Sequence, residues 1–298
     1  MDMDKTALLI MNPRAGHMQG KRYLGRIISL FASRGYSICV HWTRQRGDGT
    51  ILARDYSAMA DLVIAMGGDG TMNEVLEGMI QSGTMKPFGF IPAGSTNVIS
   101  KNLHFPKNIM KAVKCILDGS PYPFDLGSFN RKRHFAFIAS FGVFTKASYD
   151  TPQQAKNAFG TLAYLIECMK ELPAYQPIHA RVEIPGEAYE GDYIFAAFTN
   201  SLTISGFLKL DVTPGNLNDG MMEILLVKHP ASPKDVGPTI QTLTRREYDS
   251  RYVTFCSAPW AKVTFRRPVA WTIDGEYADT TEKVEIETLH NAVEFLHQ

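Results

Sequence analysis

Three apolar runs, Ala7–Met11, Leu62–Met66 and Phe88–Ile91, each break off at a glycine-bearing turn, and that pattern narrows the fold more than any other feature of the chain. Runs without polar alternation belong to strands covered on both faces, as in a parallel sheet flanked by helices. The turns are Asn12-Pro13-Arg14-Ala15-Gly16, Gly67-Gly68-Asp69-Gly70-Thr71 and Pro92-Ala93-Gly94-Ser95-Thr96-Asn97. In an open parallel sheet all strand ends of one kind share an edge, so loops distant in sequence meet one ligand there. Tyr36–Trp42 reads as a fourth strand. Helical spacing of apolar residues over Arg22–Ser33 and Asn73–Ile80, with a further helix at Asn108–Asp118, supplies the cover.

Past Asp125 the rhythm changes. One helix is expected at Gly160–Leu172, stopped by Pro173; the rest reads as strand and turn, at Ile178–Ile184, Tyr193–Asn200, Met222–Val227, Ala261–Phe265, Val269–Ile273 and Lys283–Thr288. The expected layout is α/β plus all-β: a parallel-sheet domain over residues 1–126, then a β-sandwich or barrel over 127–298, whose last residues are free to pack back on the first domain.

Charge and cysteine usage remove several function classes. A formal net charge of +1 gives no global field to gather nucleic acid, though a local basic patch stays open. Cys39, Cys115, Cys168 and Cys256 are widely spaced with no C-x-x-C pair, which argues against a zinc site or disulfide framework and for a reducing cytoplasm. The acidic start lacks a secretory signal, and the longest mid-chain apolar run, Phe135–Phe144, falls well short of the ~20 residues a spanning helix needs. Any membrane contact is therefore expected to be peripheral.

The strand–turn–helix unit around Gly67–Thr71 suits a phosphate, because bare backbone N–H groups and a helix N-terminus face the ligand. A fixed carboxylate beside phosphates is costly unless a cation lies between, so Asp69 points to a Mg²⁺-bridged nucleotide. Arg14 and Thr43 end neighbouring strands on the same edge, and Gly94, Ser95 and Asn97 offer backbone, hydroxyl and carboxamide groups. Each turn alone is equally an ordinary strand exit or helix cap. Asp219-Gly220 and Asp274-Gly275 read first as hairpin turns. Glu276, next to the second, is a carboxylate placed to accept a hydroxyl proton and start an attack on a phosphate.

The ordered set Asn12-Pro13, Gly67-Gly68-Asp69-Gly70-Thr71 with Asn73-Glu74, Pro92-x-Gly94-Ser95-x-Asn97, Asp219-Gly220 and Asp274-Gly275-Glu276 resembles the diacylglycerol kinase catalytic-domain family, which includes bacterial lipid kinases and sphingosine and ceramide kinases. Asp125-Leu126-Gly127 and Lys156…Gly160…Tyr164 look like the family's junction and helix. The resemblance implies a phosphofructokinase-like (NAD-kinase-like) nucleotide domain, a β-sandwich domain, and transfer of a phosphoryl group from Mg²⁺-ATP to diacylglycerol or a similar lipid alcohol at a membrane surface. It places ATP against Thr43, Gly68 through Glu74 and Ser95, beside Asn12, Arg14, Gly67, Gly94 and Asn97 of the same loops. By the same resemblance Glu276 is the general base, Asp69 works with Mg²⁺, and a second, structural Mg²⁺ takes Asp219 by side chain and Asn216 and Met221 by main chain. Asn218 stands where the family has a first Asp, Val98 where many diacylglycerol kinases have Asp, and Ser205-Gly206-Phe207 where relatives often have glycines. A soluble NAD kinase and a catalytically silent nucleotide or lipid sensor are the rival readings, and a homodimer is one option for its assembly.

Overall fold

The computed structural model describes residues 5–15, 19–94, 97–143, 176–204, 208–213 and 217–297. The chain divides into two compact units, one of Met1–Asp125 with Asn291–Gln298, the other Leu126–His290.

The first unit is built on parallel strands β1 (Lys5–Met11), β2 (Tyr36–Trp42), β3 (Leu62–Gly67) and β4 (Phe88–Pro92) in the order β4-β3-β1-β2. Between them run α1 (Gln19–Ala32), α2 (Asp48–Tyr56) and α3 (Asp69–Gln81); α4 (Val98–Asn102) and α5 (Ile109–Asp118) follow β4. β3 and β4 are buried at every position, and the two parities of the sheet meet different partners. Ala7, Leu9, Met11, Leu62, Ile64, Met66 and Ile91 pack with Ile27 and Phe31 of α1 and Ile109, Val113 and Ile116 of α5. The opposite parity is equally buried, and there α2 packs against β1 and α3 against β3.

α2 was not expected from the sequence. Its cap is Gly47 in the left-handed region, with no side-chain cap bond. What holds its start is distant: the Glu74 carboxylate accepts the N–H groups of Gly47 (2.8 Å) and Gly49 (3.1 Å). Helix α3 also begins earlier than expected. Asp69, Gly70 and Thr71 form its first turn rather than a loop before it, with Gly68 as N-cap.

The second unit consists of β5 (Ser120–Phe129), which crosses in from the first, with β6 (Arg133–Phe135), β7 (Ile138–Gly142), β8 (Ile178–Ile184), β9 (Glu187–Thr199), β10 (Thr203–Ile204), β11 (Leu208–Lys209), β12 (Met222–Lys228), β13 (Val253–Ala258), β14 (Trp260–Ile273) and most of β15 (Glu276–His297). β7 and β8 occupy successive stretches between β9 and β14, each antiparallel to both. The runs expected at Ala261–Phe265 and Val269–Ile273 are one strand, irregular between Thr264 and Val269. Trp271 lies at the centre of this core against Phe129, Phe141, Phe198 and Phe265.

An all-β second half is corrected by α6 (Pro233–Arg245). Ser232 and Asp235 form a capping box, with Pro233 at the first helical position. The helix exists because β9 and β12 are apolar on both faces: Tyr193, Ala196, Phe198, Ile224 and Leu226 enter the Trp271 core, whereas Ile194, Phe195, Ala197, Leu225 and Val227 join a second cluster containing Leu243 of α6. The expected Gly160–Leu172 helix lies outside the described residues.

The chain finally returns to the first unit. Phe295 is fully buried there and meets Phe88, Phe105 and Phe124 edge-on or tilted at 5.2–5.9 Å between centroids. Asp125, also without exposed surface, accepts the Asn291 N–H at 2.6 Å and pins the crossing.

Candidate active site

The three glycine-bearing turns meet at the C-terminal ends of the parallel strands, and backbone bonds join them. Asn12 N–H donates to Met66 O (2.9 Å) and Thr43 N–H to Met11 O (3.0 Å), extending the β1 ladders past their ends. Asn12 also donates through Nδ2 to Thr71 Oγ1 (3.4 Å), while its Oδ1 accepts the Arg14 N–H (2.9 Å). Ala93 and Gly94 both donate to Gly67 O, at 2.7 and 3.1 Å. The first turn is thereby fixed to the second, and the second to the third.

Gly94 makes that contact feasible. A Cβ on Gly94 would stand 2.5 Å from the Gly68 Cα, closer than any side chain tolerates. The bare backbone of one turn lies on the bare backbone of the other. Asn97, in the left-handed region at φ 47°, closes the third turn by donating to Gly94 O (2.7 Å) and accepting the Gly94 N–H (3.2 Å).

Asp69 spans the junction. Its Oδ1 accepts the Val98 N–H at 2.7 Å, at the start of α4. Burial pushes its carboxyl above the ordinary carboxylate value; the N–H groups of Val98, Ile99 and Asn97 and the charge of Lys101 pull the other way without cancelling that cost. Asp69 is thus a half-buried carboxylate whose oxygen is of the hard kind that Mg²⁺ prefers.

Beside these turns a hollow of about 530 Å³ is lined by Pro13, Arg14, Lys21, Leu24, Trp42, Thr43 and Arg44. Arg14 and Thr43 were read from the sequence. Lys21, Trp42 and Arg44 were not, although Lys21 follows the first turn on α1 and Trp42 and Arg44 flank Thr43. Glu74 is turned to α2, as described, and Ser95 lies outside the described residues.

In the second unit Asp274 (φ 48°) and Gly275 (φ 84°) are both left-handed, and Ile273 pairs with Glu276, so the expected two-residue hairpin is present. The Asp274 carboxylate accepts three backbone N–H groups, of Ala136 (3.0 Å), Phe137 (3.0 Å) and Ile138 (2.9 Å). Glu276, half-buried at the foot of the hairpin, is the second carboxylate of this turn. Asp219-Gly220 is a different object. β11 pairs with β10, and β12 with β9 and β13, so among the described residues no strand pair closes a hairpin there. Asp219 Oδ1 instead accepts the Met221 N–H at 3.0 Å. Asn216 lies outside the described residues, among which no three His, Cys, Asp or Glu side chains cluster around a metal position. Also among them, no helix is long and apolar enough to cross a membrane.

Residues 6–129 match the diacylglycerol kinase catalytic domain. A diacylglycerol kinase of Bacillus subtilis (strain 168) is 31% identical over 275 residues, covering 92% of this chain and 90% of that protein. One from Staphylococcus aureus (strain bovine RF122 / ET3-1) is 32% identical over 279 residues, covering 92% and 87%. A crystal structure of a diacylglycerol kinase from Bacillus anthracis str. Sterne shares the fold, with a TM-score of 0.75 at 21% identity over 99% of this chain and 97% of that one. The chain belongs to the diacylglycerol kinase family.

Proposed function

We propose that the protein is an ATP-dependent lipid kinase that moves the γ-phosphoryl group of Mg²⁺-ATP to the hydroxyl of diacylglycerol or a similar long-chain lipid alcohol. The observation that carries this reading is the contact of Gly68 with Gly94 beside Asp69: two bare backbones and one fixed acid on one strand edge, in a chain whose relatives are named diacylglycerol kinase. The first unit takes the phosphofructokinase-like nucleotide role and the second the lipid-acceptor role.

In this mechanism the N–H groups of the α3 N-terminus hold phosphate oxygens beside the close approach of Gly68 and Gly94, with Arg14 and Thr43 bordering the bound nucleotide. Asp69 would hold Mg²⁺, which when bound would supply charge neutralisation at the phosphates. Glu276 takes the proton from the lipid hydroxyl, and that oxygen forms its bond to phosphorus as the bond to the ADP oxygen breaks. Phosphoryl transfer requires little covalent help, so positioning and charge stabilisation provide most of the rate. A structural Mg²⁺ at Asp219 would rest on one carboxylate, main-chain oxygens and water, a weaker set than a double-carboxylate turn offers.

Purified protein incubated with labelled ATP, Mg²⁺, micellar lipids and NAD tests the reading. Label is expected in diacylglycerol or a related lipid alcohol; label in NAD, or in no acceptor despite nucleotide binding, overturns it. Glu276→Gln should slow transfer by about 10²–10⁴-fold while ATP binding persists.

A further inference from the structure

The turn that follows β2, residues 43–47, borders the hollow beside the candidate site. Thr43 and Arg44 line that hollow, and Trp42 and Arg44 also line a second, of about 620 Å³, with His41, Asp48 and Ile51. Arg44, Gln45 and Arg46 are exposed. An exposed turn must be ordered when a ligand closes on it, and that ordering subtracts from affinity unless it is already complete.

Two carboxylates complete it. Asp48 accepts the N–H groups of Arg44 (2.7 Å) and Gln45 (3.1 Å) from the end of the turn itself. Glu74 reaches in from α3, 27 residues from Gly47 and 25 from Gly49, so four N–H groups between residues 44 and 49 end on two acids. The approach is close: a Cβ on Gly49 would stand 2.8 Å from both the Cβ and the Oε2 of Glu74. α3 is also the helix whose first turn carries Asp69 and whose N-terminus lies on the candidate site's strand edge. One rigid helix therefore sets the phosphate end of the site and, through Glu74, the wall made by Thr43 and Arg44.

We infer that Glu74 is a positioning residue: it orders the turn at residues 43–47, and with it the wall of the hollow, before nucleotide arrives, and does not itself touch ATP. This rests on the lipid-kinase reading only for the identity of the ligand. The sign of its effect is diagnostic. ATP is a polyanion, so removing a nearby acid tightens its binding if charge alone matters, whereas removing a brace loosens it.

Arg44 and Arg46 make the turn a trypsin substrate, so its order can be read in the full-length protein without any ligand. In Glu74→Ala, cleavage after these two residues should rise about tenfold, tracking the population of the opened turn. The calorimetric Kd for Mg²⁺-ATP should also rise about tenfold, a loss that appears in the KM for ATP and not in kcat. Glu74→Gln keeps one acceptor oxygen and should fall between the two proteins; it decides the matter if the Ala variant does not fold. Ala53→Gly loosens the middle of α2 without touching the turn and should leave ATP affinity at the parent value. Weaker ATP binding with unchanged cleavage would make Glu74 a direct nucleotide contact, tighter binding in either variant would make it a charge effect, and an equal loss in Ala53→Gly would reduce it to helix stability. Each of these overturns the proposal. A parent that binds no ATP removes the kinase reading, with cleavage still deciding the brace; a parent that binds ATP and matches Glu74→Ala in both measurements removes the positioning role alone.

Discussion

The turn at Asp69-Gly70 and the turn at Asp274-Gly275 are written with the same two letters and use the aspartate in opposite ways. Asp274 accepts three backbone N–H groups and is fully engaged in holding the hairpin to residues 136–138. Asp69 makes a close bond to Val98 but stays an incompletely compensated anion, its carboxyl pushed up by burial. An acid surrounded by donors stabilises the native chain. One that is desolvated without full compensation destabilises it, a cost that proteins tolerate chiefly at functional sites.

Substitutions at both turns can break this contrast. The largest effect is expected from Asp69→Asn, which should reduce phosphoryl transfer by on the order of 10²–10³-fold; a variant with near-normal turnover and unchanged Mg²⁺ dependence would remove Asp69 from the chemistry. Asp274→Ala strips an acceptor from three N–H groups and should lower unfolding free energy by about 3–5 kcal/mol in urea titrations, with the midpoint shifting at constant slope. Gly94→Ala pushes a methyl into the Gly68 backbone and should destabilise by about 1–3 kcal/mol, with a larger proportional loss of ATP affinity measured by calorimetry.

The smallest effect has a defined sign. Because the folded-state pKa of Asp69 is raised, its ionisation costs native stability: the cost is absent below the unfolded carboxylate value of 3.8 and grows as pH rises through the raised native value. Asp69→Asn keeps an oxygen for Val98 and loses the charge. Melting curves of the two proteins should coincide in strong acid and separate above that window, with the Asn variant the more stable. The parent melting higher at neutral pH would show Asp69 to be as well compensated as Asp274.

What could be read in the residues follows from how local each signal is. β1, β3 and β4 were legible because strands buried on both faces must be apolar throughout. α2 was not, since Asp48–Tyr56 is weakly amphipathic, lacks a side-chain cap, and depends on Glu74 far along the chain. α6 carried a readable capping box, but Gly237 and Pro238 inside it argue against a helix, and only the doubly apolar β9 and β12 require one. At the candidate site, Gly68, Gly94 and Asp69 could be named from their turns. That Gly94 lies against Gly68, and that Asp69 is tied to Val98, depends on strand order, which no single turn encodes.

The return of Asn291–Gln298 to the first unit also orders events during synthesis. Phe295, which fills the space among Phe88, Phe105 and Phe124, leaves the ribosome only after the whole second unit has been made. The first unit, though most of it is translated first, is therefore the last to be completed, and until then it presents bare aromatic surface of the kind chaperones bind.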